Sequence, residues 1–140
     1  MRLLISYMFA FFSSFIWLSP YAATAASLSL ELNKVKSGSE SCIATFLFAN
    51  RLGRSLDRFR LEMVLFDSKG TFVERLLINL APLSHDRTTI ASFPLLAGNC
   101  SNISRILIKD VPACRAEGGK KVDCLSSLVV KTRVLIKISK

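Results

Sequence analysis

From residue 27 onward apolar residues recur at alternate positions, and a period of two lets a segment bury one face only as an extended strand. Ser27-Leu28-Ser29-Leu30-Glu31-Leu32 alternates without a break, with its leucines on one side. Residues 42–49 are apolar on both faces apart from Thr45, which suits a central strand. Residues 58–67 set Phe59, Leu61, Met63 and Leu65 on one face and Arg58, Arg60, Glu62, Val64 and Phe66 on the other. Asp67-Ser68-Lys69-Gly70 predicts a hairpin turn with Gly70 at positive φ, and 71–80 returns as the partner strand. Further strands are predicted over 87–93 and 103–111, the latter ended by Pro112, with 94–102 a loop. Residues 128–138 close the domain as one strand. Val130, Thr132, Val134, Ile136 and Ile138 share one face, and Lys131, Arg133, Leu135, Lys137 and Ser139 share the other. Lysines along an outer strand deter edge-to-edge pairing. Stretches 56–66 and 74–80 have some helical propensity, but their β-branched and aromatic content and the hairpin spacing predict strands.

About seven short strands with regular turns and no helix predict an antiparallel β-sandwich of immunoglobulin-like type over residues 27–140. No repeat, low-complexity stretch or linker divides it.

Residues 1–26 read differently. They hold one base, Arg2, and no acid. Leu3 to Leu18 is an almost unbroken apolar run, Pro20 breaks it, and Ala22-Ala23-Thr24-Ala25-Ala26 supplies small residues. Basic start, apolar centre and A-x-A site are the parts of a secretory signal peptide, with cleavage expected after Ala25 or Ala26. The run is shorter than the roughly 20 residues needed to span a bilayer. No arginine pair precedes it and no cysteine sits at the cleavage site, so neither a twin-arginine route nor a lipid anchor is expected. No later apolar span follows, and none is expected in the mature form.

All four cysteines, Cys42, Cys100, Cys114 and Cys124, lie beyond the leader. An even count after a signal peptide implies two disulfides formed in an oxidising compartment, periplasmic or extracellular. Three pairings are open. Residues 114–124 read as a tight polar loop with Gly118-Gly119 at its turn, which points to Cys114–Cys124 and leaves Cys42 with Cys100. There is no C-x-x-C and only one histidine, so neither a zinc site nor a redox dithiol is expected.

Nothing in the sequence carries catalysis or a cofactor. The single histidine, His85, lies between Ser84 and Asp86, but adjacent residues cannot aim three side chains at one reacting atom as a triad does. Walker and G-x-G-x-x-G loops are missing. What stands out is charge. The formal net charge is +9, and every Lys and Arg but Arg2 lies after residue 26. Such a field attracts anionic surfaces. The candidate contacts are Arg51, Arg54, Arg58 and Arg60, then Lys120 and Lys121, then Lys131, Arg133 and Lys137. Stacking aromatics do not interleave with them, so specific nucleic-acid binding is not expected.

The run from Cys42 to Leu83 contains Asn50-x-x-Gly53, Val64-Leu65-Phe66-Asp67-x-x-Gly70 and Leu80-Ala81-Pro82-Leu83. With the four cysteines it resembles a group of small exported proteins of alphaproteobacteria that have no assigned activity. The resemblance implies a periplasmic or secreted immunoglobulin-like domain and transfers no functional residue. The expectation is therefore a non-enzymatic exported domain acting on a protein or an anionic envelope surface. Its alternatives are a secreted effector acting on a host target and an unrecognised hydrolase.

Overall fold

A computed structural model describes residues 25–80 and 82–140; the leader assigned to 1–26 lies, through residue 24, outside the described residues. Eight strands follow in order: β1 Ser27–Ser37, β2 Ser41–Arg51, β3 Leu56–Phe66, β4 Phe72–Asn79, β5 Thr88–Ala97, β6 Arg105–Ala116, β7 Leu128–Thr132 and β8 Lys137–Ser139. They form two four-stranded sheets, β5-β2-β1-β7 and β4-β3-β6-β8. These are called the first and second sheets below.

The alternation seen in the sequence sets the inner faces. Leu28, Leu30 and Leu32 of β1 and Ala44, Phe46 and Phe48 of β2 share one buried cluster with Phe59, Leu61, Met63 and Leu65 of β3 and Ile106 and Ile108 of β6. Phe46 stacks on Phe93 at 5.0 Å, and Phe48 meets Phe59 edge-on at 6.2 Å across the two sheets. The fold is thus sandwich-like and all-β around a single core. Removing this much apolar surface from water is its main stabilising term.

Several expectations need correction. The sheets are not purely antiparallel: β7 runs parallel to β1, and β8 runs parallel to β6. The closing segment is not one strand over 128–138, because it breaks between β7 and β8 and closes one sheet with each piece. Thr132 drives the break. Its Oγ1 donates towards the carbonyls of Val134 and Ile136 at 3.2 and 3.0 Å and curls the chain into a turn. Pro112 does not end β6, which continues to Ala116. The β3–β6 register shifts between Glu62↔Asp110 and Arg60↔Ala113, a bulge where the missing proline N–H costs no ladder bond. Pro94 is likewise inside β5, an edge strand that tolerates it. One helical turn, α1 Cys124–Ser127, also forms, capped by the Asp123 carboxylate accepting from the Ser126 N–H.

Each sheet carries its own disulfide. Cys42 of β2 is bonded to Cys100 across 58 residues of sequence, and Cys114 of β6 to Cys124 across 10. Asn50 locks the turn from β2 to β3. It is buried, its Nδ2 donates to the carbonyls of Arg54 and Leu83, and its Oδ1 accepts from the Leu52 N–H.

Candidate functional site

With their inner faces buried together, the sheets present two outer faces. The register brings Arg58 opposite Arg115, Arg60 opposite Ala113, and Arg105 between Phe66 and Lys137. Arg75 lies opposite Val64 on β4. Lys109 of β6 reaches the same face, where it meets Glu62. The outer face of the second sheet is therefore a field of cations: Arg58, Arg60, Arg75, Arg105, Lys109, Arg115 and Lys137.

Glu62 organises the middle of that field. Its carboxylate, only 7% exposed, accepts from Lys109 Nζ at 3.0 Å and from Arg75 Nε at 2.8 Å. The hydrogen bond from Lys109 first, then that from Arg75, holds its pKa below the ordinary carboxylate value. These bonds fix both cations side by side and leave each more than half exposed. Arg105 is fixed another way, its guanidinium lying 4.2 Å over the Phe66 ring.

At the end of the sheet the charges lack a counter-ion. No acidic side chain among the described residues lies within 4.0 Å of Arg58, Arg60 or Arg115. Instead Arg60 Nε donates to Asn79 Oδ1 and Arg115 Nη1 donates to the Gly119 carbonyl. Like charges facing each other across a ladder repel, so Arg58 and Arg115 hold a potential that an incoming anion relieves. A shallow cleft of about 360 Å³ opens here, lined by Arg58, Phe59, Arg60, Asn79 and Ala113. The loop with Lys120 and Lys121 folds back beside it, through Ala116 N–H to Lys120 carbonyl at 2.8 Å and an Arg115↔Lys121 bridge.

The structure thus gathers Arg58, Arg60, Lys120 and Lys121 at one end of this sheet, with Lys137 on the same face at β8. The other expected contacts lie apart from them. Arg51 faces Asp86 at 3.8 Å, and Arg54 sits in the turn after β2. Lys131 and Arg133 border the first sheet, where Arg133 Nε is 3.1 Å from Glu31. The Asn33 amide and then Arg133 hold the Glu31 pKa below its ordinary value. Arg75, Arg105, Lys109 and Arg115 were missed. Alternation within 105–115 could have found three of them, since Arg105, Lys109 and Arg115 fall in the opposite phase to the buried Ile106, Ile108 and Cys114.

His85 Nε2 lies 3.0 Å from Asp86 Oδ2, both side chains well exposed, and the Ser55 hydroxyl accepts from the His85 backbone N–H. The imidazole is paired to its chain neighbour on an open turn. Among the described residues, no group of three or more His, Cys, Asp or Glu side chains is placed to hold a metal ion. None of the described helices is long and apolar enough to cross a membrane. No protein-family model, curated protein or solved structure matches this chain.

Proposed function

We propose that this protein is an exported immunoglobulin-like domain, periplasmic or secreted, that acts without chemistry by binding an anionic envelope surface. The observation that carries the reading is the cluster of cations on the outer face of the second sheet. The cations of the second sheet share one outer face, and among the described residues Glu62 is the one acid paired with any of them, with Asp110 opposite it in the register. A flat basic face suits an extended polyanion or head-group layer better than a small molecule.

Three further features support it. Strands β1, β2 and β5 share one sheet and β3, β4 and β6 the other, a two-layer all-β arrangement in keeping with a sandwich. The two disulfides fit folding in an oxidising compartment. The turn and core motifs between Cys42 and Leu83 carry an expectation in the same direction.

Reversing Arg58, Arg60 and Arg115 together to Glu tests the site. The variant is expected to elute from an immobilised polyanion at much lower salt than the parent, while Lys131→Glu with Arg133→Glu shifts elution far less. Equal shifts for the two sets would reduce the face to general net charge and overturn the assignment.

A further inference from the structure

The turn between β7 and β8 holds the most exposed large apolar side chain among the described residues. Leu135 is 101% exposed, as open to water as a side chain can be. Its neighbours behave oppositely: Ile136 is buried and Val134 packs partly buried against the core, and with Leu135, Val35 and Ile103 they line an open cleft of about 620 Å³. The turn itself has no need of a leucine, since the Thr132 hydroxyl and its backbone partners shape it. An apolar side chain held wholly in water gains free energy when an apolar layer takes it up.

Cations surround that tip. Arg133 and Lys137 flank it in sequence, Arg105 lies opposite Lys137, and Lys34 and Lys36 flank Val35 on the far side of the cleft. Glu31 is already paired with Arg133. Glu40 and Asp67 line neighbouring clefts toward the β4 and β5 edges, that of Asp67 sharing Ser101 with the cleft at the tip.

We propose that the Leu135 turn is a membrane-docking tip, which enters the interface of an acidic phospholipid bilayer while the flanking cations engage its head groups. The inference rests on the anionic-surface reading and names that surface as lipid. A soluble polymer has no apolar layer to receive Leu135, and an apolar pocket on a partner protein has no need of the basic surround. One short apolar insertion is too weak to hold a protein at a bilayer, so it works only with the second, electrostatic signal that the cations supply.

The test compares the processed protein as recovered after export, without the apolar leader, with its Leu135→Asp variant. Vesicles of phosphatidylglycerol and phosphatidylcholine, vesicles of phosphatidylcholine alone, and immobilised heparin serve as probes. Leu135→Asp is expected to weaken binding to the acidic vesicles by about tenfold or more, because it removes the inserted side chain and adds repulsion. Binding to heparin and the thermal melt should not change, since the side chain touches nothing. Leu135→Trp, the single tryptophan of a chain that starts at residue 27, should keep vesicle binding and shift its emission to the blue on acidic vesicles. Unchanged vesicle binding by Leu135→Asp, or equal binding of the parent to neutral vesicles, overturns the tip while heparin binding leaves the anionic-surface reading standing. A parent that binds neither acidic vesicles nor heparin overturns both.

Discussion

The two sheets bury equivalent inner faces and present opposite outer ones. On the first sheet the outward positions along β2 and β5 are Ile43, Thr45, Leu47, Ala49, Ile90 and Ser92, small or apolar and uncharged. Charge enters through Lys34 opposite Thr45 and Lys36 opposite Ile43 at one end of β1, through Glu31 opposite Lys131, and through Arg51. The second sheet carries its cations in the centre, cross-linked by Glu62 and Phe66. Both faces are compatible with the same alternating fold, because a strand's outward positions are free of the packing that fixes its inward ones. The contrast therefore points to what each face meets rather than to what holds the molecule together.

The staples should break this comparison most strongly. Replacing Cys42 and Cys100 by Ala is expected to destabilise the protein by about 4 kcal/mol, and replacing Cys114 and Cys124 by about 3, since the former pair closes the longer loop. Chemical denaturation under non-reducing conditions reads both. A larger loss from the second pair would mean that the 114–124 loop supports more of the second sheet than its length implies.

Next in size is Glu62, through pH. Its carboxylate binds its proton less readily in the fold than in the unfolded chain, because Lys109 and Arg75 stabilise the ionised form. That contribution is fully present above the ordinary value of 4.5 and is lost as pH falls through the lower folded value. Glu62→Gln should therefore lower the melting temperature near neutral pH and flatten its fall on acidification. Melting curves from neutral pH to below 4 would show it, and parallel curves for parent and variant would remove Glu62 from this role.

The smallest effect is expected on the first sheet. Ile90 is 68% exposed at an edge strand. Ile90→Lys should change stability by no more than about 0.5 kcal/mol, and a gatekeeping charge on that edge should lower self-association at high concentration. A marked loss of stability would mean that the uncharged face packs against something within the chain.

Much of this architecture was readable from the alternation alone. The strands over 42–49, 58–67 and 71–80 appear within two residues of their expected bounds, because a half-buried strand writes its burial directly into every second residue. Both disulfide pairings also follow from the expected loops. The failures are places where one residue type has two uses. Proline stops a strand only where the ladder needs its N–H, and a bulge or an edge removes that need, as at Pro112 and Pro94. The closing segment kept its alternation across Thr132, so periodicity could not reveal that a hydroxyl would divide it between two sheets. The basic face was half legible: Arg58 and Arg60 lie on one strand, whereas Arg75, Lys109 and Arg115 join them only through register, which sequence spacing does not encode. Asn50 reads as a loop residue, and only its three buried hydrogen bonds reveal it as the pin of that turn.

The parallel seam of β1 and β7 has a kinetic consequence. It joins Leu28 to Leu128, contacts about 100 residues apart, and such distant pairings must wait for the loop entropy between them to be overcome. Until the far end arrives, the first layer carries an open flank of leucines. Folding should therefore be slow and finish late, and nascent chains would be most vulnerable to sticking together just before that final closure.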